Sequence, residues 1–144
     1  MFDGMDMSVV PFFVGAEAWP SFAGRVRPHL EKMAAGSGGR YMADDLEVLI
    51  GLGAMQIWLA LDGADIACVM VTEVINFPRL REMRCIGVVG HRPKRWMHLL
   101  ATVEAAAREN FGCGKFSALH QPEHVRLLAT DGWQTTHCLS EKWL

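Results

Sequence analysis

The order of hydrophobic and polar residues predicts two helices joined by a glycine-rich loop near the start of the chain. Over residues 16–35 the apolar side chains recur every three or four positions, which is the period of a helix with one buried face. Pro28 is expected to kink or split this helix, and the glycines of residues 36–39 end it. A second, short helix is expected to be capped by Asp44 or Asp45 and to close at the next glycines.

The pattern then changes to that of strands. Residues 55–61 and 66–75 are rich in Ile, Val and Leu. The Asp62-Gly63 pair between them is a strong short-range signal for a hairpin turn. Residues 82–89 predict a third strand after a proline-containing loop.

Helices and strands alternate in the second half of the chain. Residues 96–110 have the clearest amphipathic helical pattern in the sequence. Residues 115–120 predict a short strand, residues 123–129 a short helix, and residues 133–143 a last strand. Together with the antiparallel strands before them, these elements predict an α/β protein (α+β mixed sheet) flanked by helices. The 144 residues are expected to form one domain, covering 1–144.

Composition excludes several classes of partner. The formal net charge of −2 gives no global attraction to nucleic acid or to an acidic membrane, so any anion site must be local. No apolar run approaches the ~20 residues that span a bilayer. Asp3 and Asp6 replace the positive start of a signal peptide. A soluble, cytoplasmic protein is expected.

Common metal and hydrolase motifs do not occur in the sequence. The four cysteines lie far apart without a C-x-x-C pair, which favours free thiols over a metal cluster or a redox dithiol. His120 and His124 are four residues apart, but no third ligand lies nearby in sequence, so no metal is expected. The chain has no G-x-S-x-G, P-loop or H-E-x-x-H motif.

Two segments resemble the GNAT (Gcn5-related N-acetyltransferase) superfamily. Residues 83–108, MRCIGVVGHRPKRWMHLLATVEAAAR, are similar to the strand, cofactor loop and helix that hold acetyl-CoA in that family. Residues 123–142 resemble its closing helix and strand, with Asp131-Gly132-Trp133 in place of a Leu-Gly-Phe turn. The resemblance is clearest over residues 56–144. It implies a GNAT-like fold, a central twisted mixed β-sheet flanked by about four helices.

The resemblance also implies a site for acetyl-CoA or another acyl-CoA where the fourth strand splays from the fifth. Unpaired backbone there would hold the pantetheine arm, and the N-terminal amides of the next helix would bind the pyrophosphate. The residues at these positions are Ile86, Val88, Val89, Gly90, His91, Arg92, Lys94, Arg95 and Trp96. The two glycines of the family's Q/R-x-x-G-x-G/A pattern fall at Lys94 and Trp96, where larger side chains stand. The basic residues either attract a phosphate or form a solvated turn.

Catalytic residues are less well defined. The position of a family tyrosine that protonates the leaving thiolate is Leu128 here, and the only tyrosine is Tyr41. Candidates for the general base are Glu73, Glu82 and His120. The competing interpretation for the two carboxylates is that they simply lie on the solvent-exposed face of their strands.

Two functions are compatible with the resemblance. The first is transfer of an acyl group from acyl-CoA to a small-molecule or protein amine. The second is a catalytically inactive binding or structural protein of the same fold, and chains of this appearance also resemble bacteriophage proteins that reside in the host cytoplasm or the virion. An exposed Trp96 or Trp143 would anchor a protein partner or a second copy of the chain.

Overall fold

The computed structural model describes residues 9–90, 93–120 and 122–144. It combines one five-stranded sheet with helices, which confirms the predicted fold class. In chain order the elements are β1 (Val10–Val14), α1 (Trp19–Ala35), α2 (Ala43–Gly51), β2 (Met55–Asp62), β3 (Asp65–Asn76), β4 (Arg81–Gly90), α3 (Pro93–Glu109), β5 (Lys115–Ala118), a 3₁₀ turn (Pro122–His124) and α4 (Val125–Ala129). None of the helices described here combines the length and the apolarity needed to cross a bilayer.

The strands form one mixed sheet in the order β1-β2-β3-β4-β5. The three pairs formed among β1, β2, β3 and β4 are antiparallel, whereas β5 is parallel to β4. A parallel pair needs a crossover connection, which α3 supplies. The predicted hairpin joins β2 to β3, and Gly63 adopts a φ of 60° in its turn. That left-handed conformation is one that glycine reaches without strain.

Alternation of side chains along the strands divides the core between the two faces of the sheet. The face under α3 buries Trp58, Met70 and Met83 of the sheet against Leu99 and Val103 of the helix. The opposite face of the sheet packs against α1 and α2. The buried residues of this second half of the core include Ile57, Leu59, Val69 and Val71 from the sheet and Val26, Leu30 and Leu46 from the helices. Two residues that are two positions apart on a regular strand therefore contribute to the same half of the core.

The two N-terminal helices differ in detail from the predicted ones. Helix α1 continues through Pro28 as one element, so this proline does not split it. Helix α2 has Met42 at its N-cap, and the Met42 N–H donates a 2.8 Å hydrogen bond to Oδ2 of Asp45. The prediction that Asp44 or Asp45 is the cap is therefore wrong. Both carboxylates lie in the first turn instead, where a negative charge is favourable.

The predicted last strand is wrong. Residues 133–144 contain no strand or helix, and β5 is the edge of the sheet formed by the described residues. Trp133 instead packs edge-on against Phe116, with ring centroids 5.2 Å apart. The end of this C-terminal tail reaches the loop between α1 and α2, where Glu141 forms an ion pair with Arg40. The opposite edge of the sheet is β1, a strand that the sequence pattern did not predict.

Candidate functional site

Strands β4 and β5 pair over only part of β4. Their register runs from Glu82 opposite Lys115 to Cys85 opposite Ala118. One further hydrogen bond, 3.1 Å from the Leu119 N–H to the Cys85 carbonyl, closes the paired region. Strand β4 then continues to Gly90, still paired with β3 but with no strand beside it on the β5 side among the described residues. We call this part of β4, residues 86–90, the gap, because no described strand pairs with its β5 side.

A bulge in β4 lies at the start of this gap. Against β3, Gly87 is opposite Val71 and Cys85 is opposite Thr72, so Ile86 is an extra residue without a partner of its own. A bulge of this kind bends the strand and increases its local twist. It therefore helps to turn β4 away from β5 at the point where their pairing ends.

Gly87 allows α1 to pack closely on the gap. A methyl group at Gly87 would lie 2.6 Å from Cγ and 2.9 Å from Sδ of Met33, both too close for a real contact. The buried Met33 side chain thus occupies the space that a larger residue at Gly87 would need. Glycine here permits a close helix–strand approach beside the open backbone.

The residues assigned to the cofactor are distributed along β4 and into α3. Val88 packs with the core under α3, and Ile86 and Val89 pack with the core of the opposite face. Their side chains are thus used in packing, which leaves the backbone of the gap for a ligand. Gly90 is exposed at the end of β4.

Helix α3 begins at Pro93, three residues after β4 ends, so its first turn lies beside the gap. This turn contains no acidic residue and leaves backbone amides without intrahelical partners. Lys94, Arg95 and Trp96 belong to it, but their side chains lie outside the described set. His91 and Arg92 also lie outside the described residues.

Glu82 is a buried carboxylate held by two other side chains. It is 6% exposed, and its Oε2 accepts a 2.7 Å hydrogen bond from Ser117 Oγ and a 2.9 Å ion-paired hydrogen bond from Arg84 Nη2. Arg84 Nε donates to Ser117 Oγ at 3.2 Å. The Glu82–Arg84–Ser117 cluster therefore joins β4 to β5 within their paired region, with Arg84 and Ser117 one pair before the two strands part.

Sequence reasoning named Glu82 but missed its two partners. Glu82 and Arg84 alternate with Met83 and therefore share a face of β4, which is a weak signal available from the sequence. Ser117 looks like an isolated serine on a strand. Only the register of the parallel pair places it opposite Arg84.

Glu73 lies one strand further from β5. It is opposite Arg84 in the β3–β4 register and is half-buried. Burial raises the pKa of Tyr41, and the nearby negative charge of Glu73 raises it further. The loop between α1 and α2 thus brings the only tyrosine of the chain towards Glu73, a proximity that the sequence did not predict.

His120 and Leu128 flank the β5 end of the site. His120 is exposed two residues beyond β5, and its ring centroid is 6.3 Å from that of His124. Leu128, at the position of the family tyrosine, is buried in the core under α3. In the part of the chain that the structure describes, no three His, Cys, Asp or Glu residues are grouped as metal ligands would be.

A cleft of about 800 Å³ runs along the outer edge of β5. It lies between this strand and residues 133–139 of the tail, with α3 and α4 on one side. Arg84 and Ser117 line it, whereas Glu82 and residues 86–90 do not. The cleft thus reaches β4 at Arg84, two residues before the gap begins.

Structural comparison identifies the fold. No protein-family model matches the sequence, and no curated protein matches it either. The chain is similar in structure to a ribosomal-protein-alanine N-acetyltransferase from Brucella melitensis biovar Abortus 2308, with a TM-score of 0.68 and 17% identity, over 94% of this chain and 98% of that one.

Two further similarities concern proteins solved with ligands. An aminoglycoside acetyltransferase from an uncultured soil metagenomic sample, in complex with sisomicin, matches with a TM-score of 0.66 and 11% identity, over 96% of this chain and 99% of that one. An acetyltransferase from Clostridium acetobutylicum, with acetyl-CoA, matches with a TM-score of 0.65 and 12% identity, over 93% of this chain and 95% of that one. The chain therefore has the fold of the GNAT acetyltransferases.

Proposed function

We propose that the protein binds acetyl-CoA or another acyl-CoA in the gap between β4 and β5 and transfers the acyl group to an amine. The observation that carries this proposal is the position of the gap. Five residues of β4, Ile86–Gly90, run past the end of β5 and lead to the start of a 17-residue helix. Structurally similar proteins include one solved with acetyl-CoA and one solved with an amine-bearing aminoglycoside.

In this proposal the backbone supplies most of the contacts. Amides and carbonyls of Ile86, Val88 and Val89 hydrogen-bond the pantetheine arm, which is itself built from amides. The pyrophosphate binds at the first turn of α3, where orphan amides and the helix dipole favour an anion. Lys94 and Arg95 add positive charge in that turn.

Acyl transfer requires an unprotonated amine next to the thioester. Alignment of the two reactants lowers the barrier by removing the entropy cost of their encounter. A backbone amide of the gap stabilises the oxyanion. Of the three proposed bases, Glu82 is the best placed, because it lies on the part of β4 that pairs with β5 and is held by Arg84 and Ser117, which lie one pair before the strands part. Glu73 lies a strand further away, and His120 is exposed beyond β5.

The alternative is a binding protein of the same fold without catalysis. It is favoured by Leu128, whose side chain is buried in the core and offers no acid to the leaving thiolate. Binding of acyl-CoA without turnover of any amine would support this alternative.

Calorimetric titration with acetyl-CoA tests the proposal directly. Binding in the micromolar range is expected, and no heat at millimolar ligand would contradict it. The double variant Lys94→Glu/Arg95→Glu is expected to weaken binding by about 3 kcal/mol, since each charge-assisted hydrogen bond contributes roughly 1.5–3 kcal/mol. Lys32→Glu/Arg126→Glu makes the same charge change at two exposed sites and serves as its control. Equal affinity for both double variants would remove the basic turn from the proposed site.

A further inference from the structure

The Glu82 carboxylate does not line the cleft, but its hydrogen-bond partners Arg84 and Ser117 do. The side chain of Glu82 is 8% exposed, whereas that of Arg84 is 34% exposed. Arg84 and Ser117 both line the cleft along β5, and Glu82 does not. A substrate in the cleft can therefore reach the hydroxyl of Ser117 but not the carboxylate behind it.

The hydrogen bonds around Ser117 have a defined direction. A serine hydroxyl has one proton to donate and two lone pairs that accept. Ser117 donates its proton to Oε2 of Glu82 at 2.7 Å and accepts from Nε of Arg84 at 3.2 Å. One lone pair of the hydroxyl is left for a donor in the cleft. Ser117 also lies one residue before Ala118, where β5 leaves β4, so this donor would be next to the gap.

We infer that Ser117 is a catalytic residue that passes a proton from the acceptor amine, bound in the cleft along β5, to the buried carboxylate of Glu82. The inference rests on the proposed acyl transfer and adds the route by which the amine enters and loses its proton. An ammonium ion R–NH₃⁺ donates its proton to Ser117 Oγ while the hydroxyl proton of Ser117 moves to Oε2 of Glu82. The products are R–NH₂, an intact serine and a neutral Glu82. The amine then attacks the thioester carbonyl: the C–N bond forms, the C–S bond breaks, and CoA leaves as a thiol with the proton that the nitrogen loses on becoming an amide.

Arg84 is a positioning residue in this relay. Its guanidinium binds both Glu82 and Ser117, which fixes the hydroxyl between the carboxylate and the cleft. The competing interpretation is that the cluster only holds β4 and β5 together. The two interpretations predict different pH dependences for the loss of activity when the Ser117 hydroxyl is removed. The relay predicts a larger loss at pH values where the amine is protonated, whereas a purely structural contact predicts the same loss at every pH.

The test measures release of CoA thiol from acetyl-CoA with two acceptor probes, sisomicin and a peptide with a free N-terminal alanine. Ser117→Val and Ser117→Thr form a matched pair, since the two side chains have nearly the same shape and differ in the hydroxyl. At about pH 6.5 the α-amino group of the peptide is mostly protonated, and Ser117→Val is expected to lower kcat/KM by roughly 10²-fold. The deficit should shrink as the pH rises above about 8, where the amine is already free. Ser117→Thr should keep the wild-type rate within a few-fold at every pH.

The controls separate this inference from the proposed function. Ser140→Ala, in the exposed tail outside the cleft lining, should behave as wild type. Acetyl-CoA affinity measured by calorimetry should be the same for Ser117→Val, Ser117→Thr and wild type. If the wild type does not bind acetyl-CoA, the proposed function fails and the relay fails with it. If the wild type binds acetyl-CoA but acetylates neither probe, the proposed transfer fails together with the relay and the non-catalytic alternative is favoured. If the wild type acetylates a probe but the loss in Ser117→Val is absent or independent of pH, the relay alone is overturned.

Discussion

Cys85 of β4 and Ala118 of β5 are the last residues that the two parallel strands pair, and β4 runs on alone towards α3. Strand β4 keeps its other edge paired with β3 up to Gly90, so the open backbone is rigidly supported from one side. A ligand that binds there would add hydrogen bonds without displacing any strand. This geometry makes the location of a bound cofactor testable at the level of single amides.

Acetyl-CoA is expected to shift the backbone amide resonances of β4 residues Ile86–Gly90 and of the first turn of α3. These amides would gain hydrogen-bond acceptors from the ligand, and the change can be measured by titrating ¹⁵N-labelled protein. The amides of the β3–β4 turn, residues 77–80, lie at the opposite end of that hairpin from Gly90 and provide the internal control. Shifts centred on that turn, or spread evenly over the sheet, would place the ligand elsewhere.

Much of the fold could be predicted from the sequence, because helix and strand periods and the Asp62-Gly63 turn are local signals. The two errors in strand assignment both concern sheet edges. Pro11 obscures β1, yet a proline is tolerated at a sheet edge, and among the described strands β1 pairs only with β2. Residues 133–143 have a composition suited to a strand, but a strand also needs a partner, and local sequence does not say whether one is within reach.

The site was predictable to a smaller extent. The family resemblance located the gap and named Glu82, since both follow from the position of β4 relative to the next helix. Ser117 and Tyr41 were not assigned roles, because their partners are far away in sequence. The Ser117–Glu82 hydrogen bond spans 35 residues and depends on the exact register between two strands joined by α3.

Gly87→Ala is expected to destabilise the fold by about 1–3 kcal/mol, because its methyl group overlaps Met33 in a packed core. Urea unfolding followed by circular dichroism measures this change. In the background Met33→Ala the same substitution should cost much less, since the overlap is gone. Gly24→Ala is the matched control within α1: its methyl group meets nothing within 4 Å, and it should stabilise the helix by about 0.5–1 kcal/mol. Equal costs of Gly87→Ala with and without Met33 would contradict this explanation.

Thiol reagents are expected to distinguish Cys138 from the other three cysteines. Cys138 is exposed, whereas Cys68, Cys85 and Cys113 are buried. Burial raises the pKa of Cys68 and of Cys85 to about 12, so neither forms the reactive thiolate near neutral pH. Native protein should therefore release one equivalent of thionitrobenzoate quickly from Ellman's reagent, and the remaining thiols should react only after unfolding. Loss of the fast phase in Cys138→Ala would verify the assignment, and its persistence would refute it.

The same buried thiols are expected to make the protein less stable at alkaline pH. A thiol in the unfolded chain has a pKa of about 8.5, and the folded values are higher, so the neutral form is favoured by folding. Their contribution is complete below about pH 8.5 and is lost as the pH rises towards 12, by about 1 kcal/mol per pH unit for each thiol. The unfolding free energy of Cys68→Ala/Cys85→Ala should consequently fall less steeply between these pH values than that of the wild type. Parallel slopes would show that other groups cause the alkaline loss.

The Arg40–Glu141 ion pair is expected to hold the C-terminal tail against the loop between α1 and α2. The pair is partly exposed, so breaking it should change the unfolding free energy by less than about 1 kcal/mol. Its local effect should be larger, because residues 133–144 have no strand or helix of their own to retain them. Arg40→Glu and Glu141→Arg should each speed cleavage by thermolysin at Leu139, which is 65% exposed, and the double charge swap should restore the wild-type rate.

Loosening the tail is also expected to affect the acceptor rather than the cofactor. Residues 133–139 line the cleft along β5, whereas none of the gap residues 86–90 lines it. The single variants should therefore raise KM for an amine acceptor while leaving the affinity for acetyl-CoA unchanged. Glu17→Arg, an exposed charge reversal before α1, is the control for net charge. If Glu141→Arg and Glu17→Arg behave alike in proteolysis and in KM, the ion pair has no role in shaping the cleft. The tail would then be retained by its aromatic side chains, of which Trp133 packs against Phe116 of β5 and Trp143 lies beside Gly39.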